Sequence, residues 1–151
     1  MIVQRPQYPI NKIKKRGFSI LAVKSIPESE SECDELVKRV SEALKNVPYP
    51  LGQVEAELIK GQFLSAVGVI YGLILERAFN WTLCEIRPAD SRANDGVIAV
   101  ISPDQAYFVY PIGVVYKEAH RHGDECRKVY EKIKTGNLTD VPAGSFFEIT
   151  A

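Results

Sequence analysis

The stretch VEAELIKGQFLSAVGVIYGLILERAF, residues 54–79, decides the fold. Ile59, Phe63, Ala66, Val67, Ile70 and Ile74 recur at helical spacing along one side, and Leu64, Tyr71, Leu75 and Ala78 along another. A helix apolar on two sides needs cover from two partners, which places this one inside the molecule. Gly61, Ser65, Gly68 and Gly72 are spaced four, three and four apart, so they stack along one face. Each interior glycine costs about 1 kcal/mol of helix propensity relative to alanine. Close approach of a neighbouring backbone offsets that cost; a dimer seam or a partner groove would use the same row. Glu55, Glu57, Lys60, Gln62, Glu76 and Arg77 interrupt the apolar pattern. The segment therefore lacks the ~20 uninterrupted apolar residues of a membrane span, and no span is expected.

Beyond this helix, three short runs read as strands: Trp81 to Arg87, Val97 to Ile101 and Ala106 to Tyr110. Asn80 is the expected helix end, and Arg87-Pro88 closes the first strand. A polar loop from Pro88 to Gly96 follows, with Asp95-Gly96 as a turn pair. Pro103 and Asp104 suit the next turn. Pro111 is expected to end the third strand or sit at a bulge, with Gly113 to Tyr116 as a brief extended segment. Short connections between these runs predict an antiparallel meander, because a parallel crossover needs about a dozen residues or more. A helix is expected over Glu118 to Lys134, weakened at Gly123 and capped by Gly136. Phe146 to Ile149 would be an edge strand or a packed tail.

Before the helix, residues 1–16 read as a basic lead-in. Arg5, Lys12, Lys14, Lys15 and Arg16 carry its charge, no acid precedes Glu28, and Pro6 and Pro9 discourage a regular helix. Gly17 to Lys24 reads as a strand that ends at Ile26-Pro27. Ser29 or Ser31 then caps a helix running to about Asn46. Its acids, Glu30, Glu32, Asp34 and Glu35, crowd the start, as the helix dipole favours. Cys33, Val37, Val40 and Leu44 form its apolar stripe, widened by Leu36, Ala43 and Val47. Pro48 and Pro50, flanking Tyr49, break the chain before the long helix. The whole predicts one α+β domain over residues 17–151. An antiparallel sheet of three to five strands packs against the long buried helix, with two further helices.

The 151 residues suffice for one sizeable core, and the 46% hydrophobic content argues against disorder. Formal net charge is zero, which gives no nucleic-acid or membrane signal and leaves self-association open. Three widely spaced cysteines, Cys33, Cys84 and Cys126, favour reduced thiols and a cytoplasmic location. The N-terminus shows no apolar signal region.

Tests for chemistry give no catalytic, cofactor or metal assignment. On one helix His122 and Cys126 would face together, but His120 and Asp124 would point about 160 degrees away, so the four cannot converge. Cys84 might add a distant soft ligand, yet a tetrahedral site would still be incomplete. Cys126 with His122 as a thiol and its base lacks an orienting group. Glu76 with Asp90 or Asp95 could be drawn as a carboxylate pair only if the loop brought them together. The glycines match neither a Walker nor a dinucleotide pattern. Trp81, Tyr107, Phe108 and Tyr110 would fill the core or, if exposed together, bind a partner.

Gly68, Gly72, Trp81, Pro111 and Lys117 carry a resemblance. A glycine-containing helix leads to a Trp, then to strands ending in a Pro and a Lys. This arrangement, over less than half the chain, resembles small bacterial α+β domains found among secretion-associated accessory and immunity proteins. Leu73 stands where such domains often carry an acid. The resemblance implies a bacterial, non-enzymatic protein acting through a binding surface. The expected function is a protein-binding module, an immunity or adaptor protein that occludes another protein. Asp90, Arg92 and Asp95 would supply orienting charges, and Tyr107 or Tyr110 an anchor. The alternatives are a small enzyme with an unrecognised cleft and a structural homodimer.

Overall fold

A computed structural model describes residues 1–6, 9–26, 28–47, 54–92, 96–121 and 123–151, with the side chains of the long helix described from Leu58 onward. Among the described residues, five helices and five strands follow the order β1 (Ile2–Gln4), α1 (Ile10–Leu21), α2 (Glu30–Lys45), α3 (Val54–Phe79), β2 (Thr82–Arg87), β3 (Val97–Ile101), β4 (Tyr107–Val109), α4 (Pro111–Arg121), α5 (Glu125–Thr135) and β5 (Phe147–Glu148). The chain is an α+β protein with a long central helix. The expected break at residues 48–53 and the turn at Asp95 lie outside the described residues.

Helix α3 forms as its two-sided pattern requires. Leu64, Val67, Ile70, Tyr71, Ile74 and Leu75 are all fully enclosed. Its Leu58–Phe79 segment is long and apolar enough to cross a membrane by length and composition; the 18-residue window within it has a mean hydropathy of 1.7, and 61% of that window is buried inside the fold. The small-residue row does bring in another backbone. A Cβ on Gly68 would stand 2.7 Å from Ile112 Cα, and one on Gly72 would stand 3.0 Å from both Leu83 Cδ1 and Pro111 Cγ. The first turn of α4 thus lies against α3, and the propensity cost of the glycines is offset by that contact. Asn80 ends the helix in the left-handed region at φ 56°.

Strands β2, β3 and β4 form the expected antiparallel meander, with Leu83 opposite Val100 and Val100 opposite Val109. Two pairings enlarge it. β1 adds antiparallel to β2, and β5 adds parallel to β4. The parallel pair is allowed because α4 and α5 lie between β4 and β5 and supply the long crossover that parallel strands need. Side chains alternate across the sheet. Val100 and Val109 face the helical core, while Cys84, Ile86, Ala99, Ile101 and Phe108 form a smaller cluster on the other face.

Three local expectations are corrected. Gly17 to Lys24 is not a strand: Gly17 to Leu21 end α1 and Ala22 caps it, so the basic lead-in is part of the fold. Ile10, Ile13, Gly17 and Leu21 recur at three, four and four, a helical stripe that the short run FSILAV hides when read alone. Pro9 precedes the first turn, where its missing N–H costs nothing, and its carbonyl accepts from the Lys12 and Ile13 N–H groups at 3.0 and 3.1 Å. Ala22, at φ 54°, closes the helix as Val23 N–H donates to Phe18 O at 3.0 Å. Pro111 does not end an extended run but opens α4, because a proline at the first helical position sacrifices no hydrogen bond. Residues 113–116 are therefore helical. The helix expected over Glu118 to Lys134 is two helices, and among the described residues there are four helices besides α3 instead of two. Helix α2 begins as expected, with Ser29 as the capping residue: its Oγ accepts the Glu32 N–H at 3.2 Å.

Candidate functional site: a groove between α1 and α3

Gly17 sets the geometry of the site. A Cβ there would stand 2.7 Å from Ala66 O, so α1 crosses α3 in backbone contact at that point. Toward its N-terminus α1 leaves room beside α3. Two adjoining hollows result, of about 620 and 710 Å³, which share Ile13 and Ser65. The first is lined by Ile10, Val69, Val97, Ile98, Tyr110 and Ile112 at the end of the sheet. The second continues along Leu58, Gly61 and Gln62, with Tyr116 of α4 against it. Together they make one largely apolar groove. It follows α3 from Leu58 to Val69, about 17 Å at a rise of about 1.5 Å per residue.

The row of small residues therefore has two uses. Gly68 and Gly72 admit α4, whereas Gly61 and Ser65 line the open groove. Two of the large apolar side chains left in solvent border it, Leu58 at 63% exposure and Val97 at 44%. The α1 rim is basic. Lys12 and Arg16 line it, α1 contains no acid, and the Arg16 guanidinium donates to Gln62 Oε1 at 3.0 Å across to α3.

The proposed contact residues are not one patch. Tyr110 lines the groove and is half-buried; its ring meets Phe108 edge-on at 4.7 Å, and burial followed by the Glu148 charge raises its phenol pKa. Tyr107, three residues earlier on the strand, packs into the helical core on the opposite face, and its hydroxyl donates to Thr139 O at 2.8 Å. Asp90 and Arg92 are exposed in the connection that leads to Val97, and Asp95 lies outside the described residues. The structure thus groups Tyr110 with the groove and separates Tyr107 from it. Ile10, Ile13 and Ile112 were missed as site residues. The signal for Ile10 and Ile13 was the helical stripe through Gly17, read as a lead-in; that for Ile112 was Pro111 opening a helix.

The chemistry considered from sequence is dispersed. Cys126 is fully enclosed, and burial, then the neighbouring Glu118 charge, hold its thiol well above its ordinary pKa. That favours the protonated thiol, a poor nucleophile. His122 lies outside the described residues. His120 is engaged: its Nδ1 donates to Tyr116 O at 2.7 Å, which leaves Nε2 to accept from Lys60 Nζ at 3.1 Å. Asp124 pairs with Arg127 at 2.8 Å. Among the described residues no three His, Cys, Asp or Glu side chains converge as a metal-ligand set. The Glu76 carboxylate accepts the Leu83 N–H at 2.6 Å at the start of β2, while Asp90 follows its far end. About 13 Å of strand separates those two positions, too far for a carboxylate pair.

Comparison of the chain with protein-family models, curated proteins and solved structures finds no match.

Proposed function

We propose that this α+β protein is a binding module that receives an amphipathic helix of another protein in the α1–α3 groove. The observation that carries the reading is the pairing of an open apolar trough with a basic rim on α1, a helix whose own sequence contains no acid. A helix presenting apolar residues at three- and four-residue intervals would fill the trough, and acids on its flank would meet Lys12 and Arg16. The groove length suits about three helical turns. Tyr110 at one end would anchor the partner, with Asp90 and Arg92 on the adjoining connection steering its approach. An adaptor or immunity role, occluding a surface of the partner, is the form the sequence resemblance favours. Three buried cysteine thiols suit a reducing cytoplasm.

The test is a titration of the ¹⁵N-labelled chain with a designed acidic amphipathic helical peptide. Saturable shifts at Leu58, Gly61, Ser65, Val69 and Tyr110 are expected. They should be lost in Ser65→Trp, which fills the trough, and weakened in Lys12→Glu. Shifts confined to other surfaces, or none, would overturn the reading. A solution mass that doubles with concentration and blocks the peptide would replace it with a homodimer.

A further inference from the structure

On the other flank of α1 lies a hollow of different character. The helical wheel puts Lys14 and Phe18 roughly opposite Lys12 and Arg16, with the Gly17–Leu21 stripe between them against α3. Lys14 and Phe18 line a half-open cavity of about 630 Å³, completed by Lys24, Arg77 at the end of α3, Leu73 and Trp81. This volume is that of a small-molecule site.

Three cations face this space: Lys14, Lys24 and Arg77. Among the described residues none of them lies within ion-pair distance of a carboxylate. Lys14 Nζ lies 5.7 Å from the centre of the Phe18 ring, a contact that holds the ammonium without neutralising it. The lining carboxylate, Glu76, accepts the Leu83 N–H at 2.6 Å and is thereby turned to the backbone. The C-terminal ends of α1 and α3 add a partial negative charge of about half a unit each. Three full positive charges exceed these contributions, so the cavity is net positive in a chain whose formal charge is zero. Its apolar wall is fixed, since Phe18, Leu73 and Trp81 all pack against the main core. Trp81 also meets Phe79 at 6.5 Å between ring centres.

Cations surrounding an aromatic wall recognise one kind of ligand, a negative group joined to a planar ring. We propose that this hollow binds a small ring-bearing anion of about the size of a nucleoside monophosphate. Lys14, Lys24 and Arg77 take the anionic group, and the ring lies against Trp81 and Phe18. Arg77 supplies the planar donor fork that suits a phosphate or carboxylate. The site shares no lining residue with the α1–α3 groove and stands independently of the function proposed for it.

Trp81 is the one tryptophan in the chain, so its fluorescence reports this cavity directly. The 151-residue chain is titrated at low salt with AMP, adenosine, inorganic phosphate and phenylacetate. Saturable quenching by AMP at a concentration about tenfold or more below that for adenosine or phosphate is expected, because ring and charge must act together. Tighter binding of phenylacetate than of AMP would assign the anion to a carboxylate and keep the site. Arg77→Gln should weaken binding about tenfold. Lys24→Gln, at an exposed residue outside the helices, serves the same purpose if the α3 variant folds poorly. An unsaturable response, equal binding of phosphate and AMP, or unchanged affinity in a folded Lys24→Gln, Arg77→Gln double variant would overturn the proposal.

Discussion

The Tyr71 hydroxyl donates a 2.7 Å hydrogen bond to the carbonyl oxygen of Cys126, joining the middle of α3 to the first turn of α5 across 55 residues of sequence. Tyr71 is fully enclosed, and burial raises its phenol pKa well above the ordinary value, so it remains a neutral donor. Tyr71→Phe keeps the ring and removes the donor. The variant should lose about 1 kcal/mol of stability, the net value of a typical hydrogen bond. Urea unfolding should show a lower midpoint with an unchanged slope.

Gly68 on α3 and Gly113 on α4 should respond oppositely to alanine. At Gly68 the new methyl would stand 2.7 Å from Ile112 Cα, a backbone atom that cannot swing aside. Overpacking there should cost about 1–3 kcal/mol. At Gly113 the nearest atom, Tyr110 Cβ, lies 3.4 Å away, ordinary contact distance. Gly113→Ala should therefore stabilise α4 by up to about 1 kcal/mol through helix propensity. Thermal melts of the two variants beside the parent check the signs. Destabilisation of both by the same amount would show that α4 tolerates neither methyl.

Glu118 is buried at 4% exposure on α4. Its carboxylate accepts the Cys126 N–H at 3.0 Å and caps α5, whose own N-cap, Asp124, makes no side-chain cap bond. Burial raises its pKa above the usual 4.5, and the Cys126 hydrogen bond opposes that shift without cancelling it. The folded state therefore holds this proton to a higher pH than the unfolded chain does. Glu118's contribution to stability is full below pH 4.5 and declines as pH rises through its folded value. Glu118→Gln retains an acceptor for Cys126 and cannot ionise. Its unfolding free energy, measured from about pH 4 to 7, should lose the decline that the parent shows in that window.

The thiols should be inert in the folded protein. Cys33, Cys84 and Cys126 are buried thiols. Burial, then the Glu76 charge, pushes the Cys84 thiol up to about 11, and burial also raises Cys33 and Cys126. A thiol-reactive dye at neutral pH should label none of them until denaturant is added, and all three thereafter. Rapid labelling of Cys126 in the folded state would restore the case for a thiol enzyme.

Much of this was legible from residue order. The two-sided pattern of residues 54–79 gives the central helix, and the strand–turn–strand run from Trp81 to Tyr110 gives the meander. Both are long or well punctuated, and their periods are distinct. Cys33, Val37, Val40 and Leu44 give the buried stripe of α2. The α1 helix was not legible because FSILAV is apolar at five of its six positions, a length at which helical and extended periods coincide. Pro111 misled for a related reason: the same ring ends a strand or begins a helix, and only its neighbours in space select between them.

The row Gly61, Ser65, Gly68 and Gly72 marks the division. Its spacing alone determined that one face of α3 carries little side-chain bulk, since helix periodicity is a property of sequence. Which half of that face is filled and which half is open was decided by tertiary structure. Ile112 and Pro111 cover Gly68 and Gly72, while α1 contacts α3 in backbone at Gly17 and leaves Gly61 and Ser65 to line the groove. Such contacts join residues about 39 to 49 apart in the chain, and no local pattern specifies where two helices cross.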